Sequence, residues 1–352
     1  MVKVKVIGAG GFGGAGVIEL VLGHPDARLH KLVDIENVGS PISTVWPHFE
    51  GYCDLVIVSP EADTPGDGED IVFLATPDRV GMKLAPAYVK AGVKVVDYSG
   101  DFRFRDAKVY AGYATRIGKE TTHLAPELLP KSVYGLAELH RAQIAKASVV
   151  GNPGCFAVAT TLGFYPAAKE KIVDIASLIS DAKTGISGAG KKPAPGFHYP
   201  LRYDNMNAYK VAKHQHCYEI EHELSEAARS PVRLTLTTQV VPVCRGIMAC
   251  CYGRLDKGWV DAKKLTQLYR DTYAGEPFVR VVGPEGTASS SDVRGTNLAK
   301  LWVNCDPATG QMIVVSHIDN LMKGQASSAV QNMNILFGLK ETAGLNLPGQ
   351  FP

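Results

Sequence analysis

The stretch that most constrains this chain is its start, where VKVKVI runs into Gly8-Ala-Gly10-Gly-Phe-Gly13. Alternating β-branched residues predict a strand over 2–7. Val17, Ile18, Leu20, Val21 and Leu22 then predict a helix that stops at Gly23-His24-Pro25. A G-x-G-x-x-G turn between a first strand and a helix is a dinucleotide fingerprint. Its glycines permit the tight turn and let the backbone approach a pyrophosphate at the helix N-terminus. The alternative is a glycine-rich turn without a ligand. Asp34 closes a second predicted strand (29–33), about 20 residues on, where a carboxylate holds a ribose 2′-hydroxyl and repels a 2′-phosphate. No Arg follows closely to clamp such a phosphate, so these residues favour NAD(H) over NADP(H).

Strand patterns at 71–75 and 94–97 flank a helical pattern at 79–91, which continues the βαβ alternation. The first half therefore predicts an α/β, Rossmann-type domain with a parallel, doubly wound sheet. From residue 175 the pattern changes to long β-rich runs at 176–183, 233–243, 247–252 and 298–304, with helices at 218–228 and 261–273. That predicts an α+β substrate and dimerisation domain with a mixed, largely antiparallel sheet. A final helix, 325–339, carries Val330, Met333, Ile335, Leu336 and Leu339. The expected domains are 1–154, completed by 325–352, and 155–324, in line with a length of 352 residues.

Composition excludes several classes. With 37 basic and 35 acidic residues the formal net charge is +2, which makes no case for nucleic acid or a membrane surface. The N-terminus lacks the apolar core of a secretory signal. Residues 147–168 carry no charge, but Asn152-Pro153-Gly154 breaks them, which suits a buried strand, a turn and a buried helix. The seven cysteines are odd in number and show no CxxC pair. Neither a disulfide framework nor a zinc site is expected, and the reading is reduced thiols in a cytoplasmic protein with no metal.

One cysteine stands apart. Cys155 follows Gly151-Asn-Pro-Gly and opens a helical run, so its sulfur lies where helix amides stabilise a thiolate. It is either a nucleophile or a buried core thiol. Lys213-His214-Gln-His216-Cys217-Tyr-Glu219 supplies histidines to move its proton and a carboxylate to fix a tautomer. The competing roles are metal ligands, surface histidines, or Cys217 as the reactive thiol. Gly185-Ile-Ser-Gly-Ala-Gly190-Lys191-Lys192 nearly spells a P-loop, but Lys192 replaces the hydroxyl residue and Pro193 and Pro195 stop the required helix. It remains a candidate phosphate-binding loop or lid.

Together these stretches resemble the N-acetyl-gamma-glutamyl-phosphate reductases of arginine biosynthesis. The carriers are GAGGFGG, KVVDYSGDFR (94–103), VYGLAELH (133–140), GNPGCFAVAT (151–160) and KTGISGAGKKP (183–193), then KHQHCYEIEHEL (213–224), QVVPVCRGIMA (239–249), VRGTN (293–297) and DNLMKGQASSAVQNMN (319–334). They span nearly the whole chain in the family's order. The resemblance implies that Cys155 is the nucleophile attacking an acyl phosphate, His214 its acid/base, and Glu219 the accompanying carboxylate. It implies cofactor contacts from Gly8, Gly10, Gly11, Phe12, Gly13, Asp34, Thr76, Ser187, Gly188 and Asn320, the last for the nicotinamide amide. Arg103, Asn152, Arg245 and Arg294 are the implied substrate contacts, each Arg being alternatively an internal ion-pair partner. The resemblance implies NADP(H) as the cofactor, while Asp34-Ile35, where the family often has Ser-Arg, leaves NAD(H) or dual use open. Tyr218 and Gly100 also depart from the family pattern, without removing a reactive group. The implied partner is a small acyl phosphate, and the implied assembly a homo-oligomer. Aspartate-semialdehyde and carrier-linked aminoadipyl-phosphate enzymes share the scaffold; a Cys–His acyl hydrolase without a redox step is the alternative chemistry.

Overall fold

The computed structural model describes residues 1–350, which form two compact units. The first comprises Met1–Pro153 with Gln325–Leu347, the second Gly154–Gly324 with the described residues from Pro348 on. The tail after Leu347, expected with the first unit, thus joins the second, where the Gln350 N–H donates to the Arg294 carbonyl at 2.9 Å.

In the first unit seven strands, β1 (Val2–Ile7), β2 (Ala27–Val33), β3 (Ile57–Val58), β4 (Ile71–Leu74), β5 (Lys94–Asp97), β6 (Ser132–Tyr134) and β7 (Val149–Gly151), form one sheet. Its order is β3-β2-β1-β4-β5-β7-β6 and every pairing is parallel. The order reverses between β1 and β4, so a ligand crevice lies beyond the carboxyl ends of those strands. Helices α1 (Phe12–Leu22), α2 (Ile42–Val45), α3 (Gly81–Lys90), α4 (Ala107–Arg116) and α5 (Ala137–Ile144) connect them. The C-terminal helix, Ser327–Leu336, packs on α1 and α5 and is buried along its whole length. Gly16 permits that approach, since a Cβ there would fall 2.7 Å from Ala326 Cβ.

Because helices cover parallel sheets on both faces, alternation in β1 does not expose its lysines. Lys5 is fully buried. Its ammonium lies 2.8 Å from Asp63, 3.1 Å from Asp67 and 2.9 Å from Glu69, and donates to the Thr64 carbonyl at 3.0 Å. His30, Asp67 and Glu69 bring ligand-type atoms within 4.8 Å of one another, but Lys5 and Lys31 already pair with these carboxylates.

The second unit opens with α6 (Cys155–Lys169) and continues through β8 (Leu178–Thr184), α7 (Tyr199–Arg202), β9 (Asn207–Tyr209), α8 (Gln215–Ala228), β10 (Leu234–Val240), β11 (Ile247–Arg254), α9 (Ala262–Thr272), β12 (Val279–Val282), β13 (Ala299–Asp306) and β14 (Gln311–Ile318). The strand order is β12-β13-β14-β11-β8-β10-β9, mixed in direction: β8/β10 and β12/β13 are parallel and the other pairs antiparallel. Alternation in β8 and β10 turns Leu178, Ser180, Ala182, Leu236 and Thr238 toward a helix-covered face. There α6 packs on β11 and β14, flanked by α8 and α9, and twelve of its fifteen residues are buried. Tyr269 and Tyr273 of the α9 segment donate their hydroxyls to the Gly163 and Leu162 carbonyls, each at 2.6 Å.

Candidate active site

In the first unit the glycine turn is built as its sequence requires. Gly8 adopts φ +86°, and a Cβ there would lie 2.4 Å from the Ala75 carbonyl oxygen. Gly11 caps α1 through its backbone alone, and no acidic residue occupies the helix's first turn, which suits an anion at that end. The Asp34 carboxylate accepts from Gly10 N–H at 2.7 Å through one oxygen, and from Ile35 N–H (2.7 Å) and Glu36 N–H (3.1 Å) through the other. It is therefore held rigidly against the turn. Phe12 packs at 5.7 Å from Trp46, whose indole N–H donates to the Ala9 carbonyl at 3.3 Å. Thr76, just past β4, buries its hydroxyl oxygen without a partner among the described residues. A glycine cradle that side chains would fill, with an orphaned hydroxyl beside the switch point, fits a dinucleotide.

Two expected substrate contacts have other work in this unit. Arg103 donates through Nε to the Asn152 carbonyl at 2.9 Å and through Nη2 to the Tyr98 carbonyl at 2.8 Å. Asn152 gives its N–H to the Asp97 carbonyl (2.7 Å) and its amide to the Gln325 carbonyl (3.0 Å), and accepts from Asn332 (3.3 Å). Burial at 6% and 1% exposure agrees with these internal partners. Both residues brace the loop after β7.

In the second unit Cys155 is the first residue of α6, capped by Gly154 in an extended conformation. Glu219 of α8, wholly buried, accepts the Gly154 N–H at 2.9 Å. His216 comes closer still: a Cβ on Gly154 would lie 2.1 Å from its Nε2. On the other side Gly324 leaves room for the cysteine, since a Cβ there would fall 2.8 Å from Cys155 Cβ. His214 sits one position before α8 and caps it, its Nδ1 accepting the His216 N–H at 3.2 Å. That cap starts α8 three residues before the expected 218. The His214 ring lies 4.6 Å from that of His216, 5.3 Å from Phe156 and 5.7 Å from Tyr209. Burial, with the Lys210 charge adding to it, lowers the His214 pKa to about 4, so it is neutral at physiological pH. The Tyr209 phenol is pushed up by burial and secondarily by the Cys155 charge.

A second cluster in this unit centres on the Asp319-Asn320 dipeptide. Asp319, wholly buried, binds Arg245 through Nε (3.2 Å) and Nη2 (3.0 Å) and accepts the N–H groups of Gly295, Leu321 and Met322. Asn320 accepts the Gly246 N–H at 2.7 Å and donates to the Ser187 hydroxyl at 2.9 Å, with Gly188 alongside. The structure thus gathers Ser187, Gly188, Asn320 and Arg245, and ties the 293–295 turn bearing Arg294 to the same carboxylate. Sequence reasoning missed Asp319 as the hub and Tyr209 as a ring neighbour of His214. The adjacency of Asp319 to a candidate residue was the only available signal for the first.

Residues 3–147 match the family model described as semialdehyde dehydrogenase, NAD binding domain, and residues 155–320 match semialdehyde dehydrogenase, dimerisation domain. An N-acetyl-gamma-glutamyl-phosphate reductase of Citrifermentans bemidjiense is 41% identical over 354 residues, covering 100% of each chain. One from Bacillus cereus is 40% identical over 343 residues, covering 97% of this chain and 98% of its own. The chain belongs to the N-acetyl-gamma-glutamyl-phosphate reductase family. Among solved structures, aspartate semialdehyde dehydrogenase II of Vibrio cholerae, complexed with ASA, superposes with TM-score 0.71 at 18% identity, over 96% of this chain and 98% of that one. The Candida albicans aspartate semialdehyde dehydrogenase with NADP gives 0.68 at 17%, over 96% and 99%. At such identities these two show that this chain shares the fold of those dehydrogenases. Among the described residues no helix is long and apolar enough to cross a membrane.

Proposed function

We propose that this chain reduces N-acetyl-γ-glutamyl phosphate to N-acetylglutamate semialdehyde and phosphate, the reductive step in arginine biosynthesis that its relatives' names describe. The observation that carries this reading is Cys155 at the start of α6, with Glu219 and His216 packed on the turn before it. Cys155 Sγ attacks the acyl carbon, the carbon–oxygen bond to phosphate breaks, and phosphate leaves with the electron pair, giving a thioester. We assign the acid/base role to His216 instead of His214. His216 presents its Nε2 edge to the nucleophile's turn, whereas His214 uses Nδ1 to cap α8 and resists protonation. His216 takes the thiol proton and lends it to the oxyanion that forms as hydride reaches the thioester carbon. Collapse of that adduct expels the Cys155 thiolate and releases the semialdehyde. Glu219 fixes the Gly154 amide and hence the direction of the sulfur. A bound nicotinamide dinucleotide supplies the hydride.

For that dinucleotide, Gly8–Gly13 suit the pyrophosphate and Asp34 the adenosine ribose; Thr76 offers an unsatisfied hydroxyl. In the second unit Ser187, Gly188 and Asn320 form the cluster to which family likeness assigns nicotinamide recognition. A carboxylate already fixed by three amides, followed by Ile35 and Glu36, supports NAD(H) over the NADP(H) that family likeness implies. Arg245 and Arg294 are the substrate-anion candidates that the Asp319 cluster supports. The sheet face opposite α6 carries Ile179, 46% exposed, next to Tyr252 and in line with Ile313, along a groove that includes Asp174, Arg254 and Gln311. This face supports a homo-oligomer, and a thiolate nucleophile suits a reducing, cytoplasmic setting.

The test is phosphate-dependent reduction of nicotinamide dinucleotide by N-acetylglutamate semialdehyde, with NAD and NADP side by side. Cys155→Ser is expected to abolish turnover while dinucleotide still binds. Turnover that needs no phosphate would overturn the reading.

A further inference from the structure

Arg202 ends α7, in a segment (191–213) whose side chains are otherwise almost all exposed. It alone is buried, with 5% of its surface accessible. Its Nη2 donates to Asn207 Oδ1 at 2.7 Å, and that neutral amide is its one partner among the described residues. Nε is buried with no acceptor, and no carboxylate lies within ion-pair distance. A guanidinium stays charged at any ordinary pH, so burial without an anion leaves its desolvation uncompensated. The other candidate arginines differ: Arg103 is occupied by main-chain carbonyls and Arg245 by Asp319.

Its partner Asn207 relates Arg202 to the candidate active site. Asn207 and Tyr209 are two apart on β9 and share one face of it. Tyr209 lies 5.7 Å from the His214 ring, between the segment of Arg202 and the histidine turn before α8 in the chain. Lys210, whose charge reaches His214, adds to a locally positive field. A planar guanidinium edge in such surroundings matches two oxygens of a carboxylate or phosphate.

We propose that Arg202 is an oxyanion-binding residue of the acyl-phosphate site, taking a carboxylate or phosphate oxygen of the substrate on its unpaired Nε. This rests on the reductase reading above. The substrate offers that chemistry from two sources, its α-carboxylate and its phosphate, and the reverse reaction separates them, because semialdehyde and phosphate are then independent substrates.

The experiment measures both KM values, kcat and Tm for wild type, Arg202→Gln and Arg202→Lys. Arg202→Gln is expected to raise one KM by about ten- to a hundredfold, the loss of a charge-assisted hydrogen bond, with kcat within about threefold. A rise for semialdehyde names the carboxylate, and a rise for phosphate names the phosphate. Arg202→Lys, which keeps the charge and loses the fork, should fall between and guards against a Gln variant that fails to fold. Two unchanged KM values, or a loss of kcat or Tm alone, would overturn the assignment while leaving the reductase reading in place. A wild-type chain without phosphate-dependent turnover would remove both.

Discussion

Gly154→Ala is the most discriminating single change at the nucleophile's turn. The backbone there is at φ −74° and ψ 149°, a conformation alanine adopts freely, so the added methyl brings no backbone strain. What it meets is the His216 ring: 2.1 Å to Nε2, 2.4 Å to Cδ2 and 2.5 Å to Cε1. Ordinary contact begins near 3.4 Å, so the ring edge has to retreat by about 1.3 Å (3.4 − 2.1). Displacing a catalytic group by about 1 Å costs about a hundredfold in rate, and full loss of an acid/base costs about 10²–10⁴. The expected result is kcat lowered about a hundredfold or more, with a stability cost of about 1–3 kcal/mol from overpacking. Steady-state kinetics and thermal melting measure both. A second arm supplies the control: in a His216→Ala background the methyl has room, so Gly154→Ala should add almost nothing to the loss already present. Near wild-type turnover in Gly154→Ala would refute the claim that His216 serves Cys155. A full additive loss in the double variant would show that the damage runs through another group.

Asp34→Ser should raise the NADP-to-NAD ratio of kcat/KM by at least tenfold, and an unchanged ratio would mean the carboxylate does not exclude the 2′-phosphate. Lys5→Met leaves Asp63, Asp67 and Glu69 without their central cation, so chemical denaturation should show about 3–5 kcal/mol lost; under 1 kcal/mol would contradict the described network. His317, buried on β14, has its pKa lowered to about 4, mainly by burial, with Lys300 adding and Asp292 opposing. Between pH 6.5 and 4 the unfolded chain therefore binds a proton that the folded one refuses. Stability should fall across that window by up to about 3 kcal/mol, and His317→Asn should flatten the slope in melts at pH 5 and 7.

The nucleotide-binding half was legible because local rules and tertiary structure agree there. The glycine turn, Asp34 and the break at Asn152-Pro153-Gly154 all act within a few residues of themselves. Lys5 was not legible, since alternation in VKVKVI reads as a half-solvated strand, and only a covered parallel sheet with three acidic residues from the 63–69 loop makes it a core residue. The expected start of α8 falls three residues late because histidine is an uncommon cap. Strand β14 lacked a polar–apolar alternation clear enough to mark it. Arg202 and Asp319 depend on partners brought together by the fold, which no spacing in the chain announces.

Helix α6 has one further consequence. It is walled by a sheet below and two helices beside it, and tyrosine hydroxyls grip its middle carbonyls. A rod held that way resists rotation and sliding, so under the proposed mechanism the sulfur at its tip is the fixed origin of the reaction coordinate. Adjustment during turnover falls to whatever approaches that origin: the histidine-bearing turn before α8 and the long segment that carries Arg202. Engineering for a different acyl group belongs on those approaches, where shape can change without moving the nucleophile.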